Sequence, residues 1–302
     1  FSPIEMPFFP SACYNTVIHP MRGLVVKGML LQLGNDYPFV AFTRLRNMGK
    51  NNDMPRLHKA NADSYRINKA GNRMVVCTLP VVADDLRCSL GDTSLPVGWI
   101  MPPGSDVYQY GTHNREVREV QRRAQLKYEK VDLILPGAEH VPMSGQPADE
   151  TLIADRCKKW VMGTFYGAAG PVSGPLFDRV EYGNSTATVF FKSGTAEGLA
   201  ADGDALKHFE IAGEEREFVP CKAEIDGLTV KLTSDDGSRP MYVRFGWSRK
   251  PVQGLVNSAG LPAVPFNTNT EWEYDWWPEP APVELPEEYY TPANKWPDRN
   301  YA

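Results

Sequence analysis

The chain has 302 residues, 42% hydrophobic and 23% charged, which excludes a disordered polypeptide and suits one large domain or two ordinary ones. A formal net charge of −5 argues against a dedicated nucleic-acid surface, which needs a basic balance. No apolar run reaches the roughly 18 residues that would span a bilayer.

In chain order, the opening FSPIEMPFFP has neither the basic start nor the long apolar core of a signal peptide. The sequence starts at Phe1 rather than Met, and the expectation is a processed product or a fragment. GLVVKGMLLQL, residues 23–33, is apolar apart from Lys27 and Gln32, the pattern of a strand covered on both faces. Residues 72–83 (NRMVVCTLPVVA) and 130–136 (KVDLILP) are expected to be two more strands of this kind. The segments 47–72 and 84–113, rich in Asn, Gly, Pro and Asp, are expected to be long loops, with room for short helices.

Residues 114–130 (NREVREVQRRAQLKYEK) place Val117, Val120, Ala124 and Tyr128 at helical spacing, and their charges are expected to form a solvated face. After the third strand, Ile153, Cys157, Trp160, Val161 and Phe165 make one apolar stripe of a second helix. Asp149 is placed to cap it and Gly167 to end it. Strand, helix, strand, helix predicts a parallel sheet with helices on its faces.

From residue 171 the period becomes two. TATVFFKS, KHFEIAG, REFVPCKAEIDGLTVKLTS and PMYVRFGWS predict at least four antiparallel strands, a small β-sandwich over 171–270. Asp226-Gly227 between alternating runs predicts a type I′ hairpin. Residues 271–302 combine proline, acid and aromatics, and proline prevents a regular helix or central strand. Trp272, Trp276, Trp277, Tyr289, Tyr290 and Trp296 are costly to leave in water, at about 2 kcal/mol each. Two readings follow: an extended arm across its own domains, or an arm that docks on another subunit.

The five cysteines, Cys13, Cys77, Cys88, Cys157 and Cys221, have no metal-clip spacing. Buried free thiols are expected, with one disulfide left open. Neither His19, His58, His113 nor His208 shows metal spacing, and neither a metal nor a cofactor is expected. Asn184-Ser185-Thr186 matches the N-glycosylation acceptor triplet, a pattern that also arises by chance.

PSACYNTVIHPMRGLVVKGMLLQLGN resembles the central block of bacterial sialate O-acetylesterases, a carbohydrate-esterase branch of the SGNH hydrolases. There a YN…IHP helix start leads to a KG strand that ends in W-Y-Q-G-E-S-N. The ordered stretch SGPLFDRVEY…LKHFEIAGEEREFVPCKAEIDGLTVKLTS…PMYVRFGWS…LVNSAGLPAVPFNT resembles that family's C-terminal β region. Together the two cover most of residues 10–270. The resemblance implies a partial three-layer SGNH/flavodoxin-like α/β domain over 1–170, its upstream part missing. A β-sandwich over 171–270 and an arm over 271–302 would follow. It also implies an extracellular or periplasmic location.

The chemistry of that family uses a serine in a G-Q-S-N motif, a histidine base, and a Gly and an Asn at the oxyanion. This chain has no G-Q-S-N, and SGQPAD at 144–149 falls just before the last helix rather than near the domain's start. At the glycine loop, Gly34 matches, Asn35 replaces the acid, Asp36 the serine and Tyr37 the asparagine. Tyr37 lacks the amide donor, and its ring would crowd the acetyl group. At the histidine loop, Val141 stands before Pro142, while His140 lies one place earlier beside Glu139. A shift of one residue turns a side chain the other way in an extended segment.

The leading expectation is therefore a catalytically degenerate relative serving as a structural or binding subunit. A second polypeptide, perhaps the upstream half of the same precursor, would complete the α/β domain, with carbohydrate as a possible ligand. The alternative is an active carbohydrate O-acetylesterase whose serine arrives from an upstream segment or another chain, with His140 as base. A third reading, a carbohydrate-binding module on the β region, is weakened by the lack of a run of exposed aromatics there.

Overall fold

A computed structural model describes residues 24–32, 83–84, 86–101, 114–126, 128–137, 150–248 and 250–269. These belong to one compact unit that closes at Asn269. The aromatic arm that follows lies outside the described residues.

The first part is a parallel sheet in the order β1 (Met29–Leu31), β2 (Val97–Ile100), β3 (Val131–Ile134). Met29 stands opposite Val97, and Val97 opposite Val131. Helix α1 (Asn114–Gln125) joins β2 to β3, and α2 (Glu150–Tyr166) follows β3. The predicted stripe of α2 packs on the sheet. Cys157 and Trp160 are buried with Ile100 and Ile134, while Ile153, Val161 and Phe165 close the margin. Trp160 donates its indole N–H to Asp132 at 2.8 Å, which lets so large a ring lie buried with its polar atom satisfied. Gly167, at φ 69°, ends the helix as expected.

Three expectations for the first part are corrected here. The first concerns 84–113. Residues 86–90 form a short helix, which the expectation allowed, but Val97–Ile100 is the central strand of the sheet. Pro96 and Gly98 hide that strand in the sequence. The glycine leaves room for its neighbours, since a Cβ at position 98 would lie 2.8 Å from Leu30 Cδ2 and 3.0 Å from both Ile134 and Trp160. Of the strand expected over 72–83, Ala83 is helical, and the rest lies outside the described residues.

The second concerns the first strand. It is three residues long, not eleven, and it is not covered on both faces, since Leu24, Val25 and Leu30 are exposed. Met29 N–H donates to Pro96 O at 2.9 Å, so the alternate residue, Leu30, turns its N–H and C=O away from β2. Among the described residues no strand pairs with that edge.

The third concerns α1. Its charges are not a solvated face, because Arg118, Glu119, Gln121 and Arg122 are buried. The side chains of Val117, Val120 and Ala124 lie outside the description. Polar residues on a helix read as solvated only when nothing covers them, and here the antiparallel part does. Arg118 donates to Ser248 O at 2.5 Å and Arg123 to Asn267 O at 3.0 Å.

That second part has two four-stranded antiparallel sheets. One runs β4 (Phe177–Tyr182), β5 (Thr186–Phe191), β10 (Thr229–Thr233), β9 (Lys222–Asp226). The other runs β13 (Phe266–Asn267), β11 (Tyr242–Phe245), β7 (Phe209–Ala212), β8 (Val219–Pro220). Short β6 (Ala200–Ala201) and β12 (Leu255–Val256) pair beside them. Alternate residues of both sheets meet in one core: Ala187, Val189, Val230 and Leu232 from the first, Phe209, Ile211, Val243, Phe245 and Phe266 from the second. Phe177 stacks on Phe266 at 4.2 Å between centroids. The β9–β10 hairpin turns on Gly227-Leu228, because Asp226 pairs with Thr229. Gly227 has φ 60°, whereas Leu228 is not among the residues of positive φ. One positive angle at the first turn position is the pattern of a type II′ turn, not the expected I′.

Candidate functional site

Because β1, β2 and β3 are parallel, their carboxyl ends lie on one side of the sheet. In open α/β sheets that side is where ligands bind. Two of the three segments leaving it carry sequence-predicted residues: Gly34 and Asn35 follow β1, and Glu139 and His140 follow β3. All four lie outside the described residues, as do Trp272, Trp276, Trp277, Tyr289, Tyr290 and Trp296. The topology brings the two segments to the same edge but not to adjacent strands. With β2 between them, the ends of β1 and β3 are about 10 Å apart, twice the usual strand spacing.

The end of β3 is held by residues the sequence reading passed over. Arg156 of α2 donates to Leu135 O at 2.6 Å and to Gln253 Oε1 at 2.6 Å. Gln253 donates in turn to Pro136 O at 3.3 Å and Pro251 O at 3.1 Å. Burial pulls the Arg156 guanidinium down to about 10, against the opposing field of Asp155. Its two bonds go to neutral oxygens, so a cation sits just below the start of the segment that carries Glu139 and His140. Such a charge favours an anion or a polarised carbonyl nearby. The signal was present in the sequence: Arg156 falls three residues after Ile153 and four before Trp160, inside the apolar stripe.

Beside this clamp lies an open cleft of about 370 Å³, lined among others by Asp202, Asp204, His208, Lys250 and Gln253. Gln253 belongs to both clamp and cleft. No three His, Cys, Asp or Glu side chains are grouped to hold a metal ion among the described residues. No helix among the described residues is long and apolar enough to cross a membrane.

Where α1 meets the antiparallel part, Glu119 is buried between two guanidiniums. Arg122 donates to both its oxygens at 2.8 Å, and Arg123 to one at 2.6 Å. The N–H of Asn267 reaches the same carboxylate at 3.3 Å. Burial alone would raise its pKa, but Arg122 and Arg123 together hold it below the ordinary carboxylate range.

No family model matches the sequence, and no curated protein matches it. Among solved structures the chain is similar to the crystal structure of a carbohydrate acetylesterase from Xanthomonas citri, with a TM-score of 0.60 and 24% sequence identity. The match covers 85% of this chain and 53% of that one, so the chain spans about half the length of its structural neighbour. At this identity the likeness is one of fold: a mixed α/β architecture with a parallel sheet and antiparallel sheets, shared with a carbohydrate esterase.

Proposed function

We propose that the chain is a catalytically degenerate relative of the sialate O-acetylesterases, acting as a structural or binding subunit of a larger assembly. One observation carries this reading. The segment leaving the carboxyl end of β1 reads Gly34-Asn35-Asp36-Tyr37, and no Gly-Gln-Ser-Asn occurs anywhere in the chain. In this reading a scaffold of esterase type carries, within these residues, no motif for the group that attacks an ester. Glu139 and His140 are read as remnants of the base loop, and Gly34 as a turn glycine.

In this reading residues 1–170 form an incomplete SGNH-like domain and 171–270 a β-sandwich. The arm with Trp272, Trp276, Trp277, Tyr289, Tyr290 and Trp296 docks on a partner. A further polypeptide completes the parallel sheet. The outward N–H and C=O of Leu30, which no strand among the described residues meets, and the exposed Leu30 side chain support an added strand there, since an open parallel edge is unstable in water. The location is extracellular or periplasmic, as for secreted carbohydrate esterases.

The open edge also favours a second reading, an active acetylesterase whose serine enters on the added strand and whose base is His140. Turnover of p-nitrophenyl acetate by native material separates the two. No serine-dependent turnover, and no effect of His140→Ala, is the expected result. Turnover abolished by His140→Ala overturns the degenerate reading. A stably folded 33.7 kDa monomer in size-exclusion chromatography of native material overturns the partner.

A further inference from the structure

Asn184-Ser185-Thr186 is the one Asn-x-Ser/Thr triplet in the chain, and the fold places it at the tip of the β4–β5 hairpin. Tyr182 pairs with Ala187, and Gly183 N–H donates to Thr186 O at 2.7 Å, so Asn184 and Ser185 are the turning residues. The turn is anchored on its own: Ser234 N–H reaches Ser185 O at 2.9 Å. Asn184 is exposed, and its amide has no hydrogen-bond partner among the described residues. A large solvated substituent on that nitrogen would break no bond of the fold.

Two further features bear on a sugar. A Cβ on Gly183 would lie 2.5 Å from Thr186 Oγ1, so the hydroxyl of the triplet stands directly over the residue before Asn184, where only glycine leaves it room. Two residues ahead of Asn184 is Tyr182, an aromatic ring left 38% exposed, its hydroxyl 3.4 Å from Thr268 Oγ1. The negative face of such a ring can stack on the C–H face of a pyranose, as it does on other positive edges. Aromatic, glycine, asparagine, serine and threonine thus follow one another around a fixed two-residue turn.

We propose that Asn184 is an acceptor for an N-linked glycan, with Tyr182 as the platform for its first sugar. The donor is an oligosaccharide on a lipid diphosphate. The Asn184 Nδ2–C1 bond forms as the C1–O bond to the diphosphate breaks, the diphosphate leaves with that electron pair, and one Nδ2 proton passes to a base of the transferring enzyme. The inference does not depend on whether the chain cleaves esters.

Mass spectrometry of the protein from its natural source tests it on the tryptic peptide Val180–Lys192. The expected result is a glycopeptide that peptide N-glycosidase converts to the sequence with Asp at 184, with the modification lost in Asn184→Gln and in Thr186→Ala. A peptide found predominantly unmodified overturns the proposal. For the platform, thermal melts before and after glycan release compare wild type with Tyr182→Ala. Release lowers the melting temperature of the wild type and leaves that of Tyr182→Ala unchanged; an equal drop in both overturns the role of Tyr182.

Discussion

The Glu119 carboxylate on α1 and the Asn267 backbone N–H on β13 meet at 3.3 Å, which joins a helix of the parallel part to a strand of the antiparallel part through a buried charge. Arg123 closes the loop by donating to Asn267 O at 3.0 Å while holding Glu119 at 2.6 Å. The seam is polar, and the Glu119 carboxylate is shared by two guanidiniums of the same helix.

Glu119→Gln is expected to destabilise the protein by about 3–5 kcal/mol, because it takes the carboxylate counter-charge away from two guanidiniums in a buried seam. Urea unfolding checks this. The pH dependence has a fixed sign. The folded-state pKa of Glu119 lies below its unfolded value, so its stabilisation is present above the unfolded value and lost as pH falls through the folded one. The wild type should lose more stability than Glu119→Gln on acidification below roughly pH 4.3, the ordinary glutamate range.

Arg156→Met leaves Leu135 O and Gln253 Oε1 without their donor, and a loss of about 1–3 kcal/mol is expected. In a double-mutant cycle with Gln253→Ala, the two losses should fall short of adding, since both variants remove one shared bond. Full additivity would show that the clamp does not couple the two side chains.

Two glycine substitutions should differ in kind. A Cβ at Gly98 meets only side chains, of Leu30, Ile134 and Trp160, which can shift, and Gly98→Ala should cost about 1–3 kcal/mol. A Cβ at Gly174 would lie 1.7 Å from the backbone oxygen of Pro262, which cannot move alone. Gly174→Ala should therefore lower the melting temperature more than Gly98→Ala, as a thermal-shift comparison can establish.

Of the cysteines within the described residues, Cys88 is exposed, while Cys157 and Cys221 are buried free thiols. Burial, aided by Asp235 and Glu210, pushes the Cys221 thiol up to about 12, and burial also raises Cys157. Since the thiolate is the reactive form, iodoacetamide at neutral pH should label Cys88 first and Cys221 only after unfolding. Peptide mapping over time gives the order.

What could be read in advance followed the strength of local pattern. The stripe of α2 and the period-two runs of β5, β7, β9, β10 and β11 repeat often enough to declare themselves. The strand Val97–Ile100 did not, because Pro96 precedes it and Gly98 answers to close packing by Leu30, Ile134 and Trp160 rather than to strand propensity. The charges of α1 were misread because their partners, Ser248 and Asn267, lie more than a hundred residues away in sequence. Arg156 interrupts the apolar stripe of α2 in the sequence, but its partners, Leu135 O and Gln253, come from other elements and leave no local pattern. Of the candidate site, only the strand ends from which the two segments depart are fixed by the fold.

The clamp at Arg156 also has a mechanical side. One guanidinium grips the main chain where β3 ends and, through Gln253, the strand-poor stretch between β11 and β12. The carbonyls of Leu135 and Pro136 are thus tied to the antiparallel part by side-chain donors rather than by a strand partner. The joint between the two halves therefore includes the main chain at the end of β3 itself, held by side chains from α2 and from the stretch before β12.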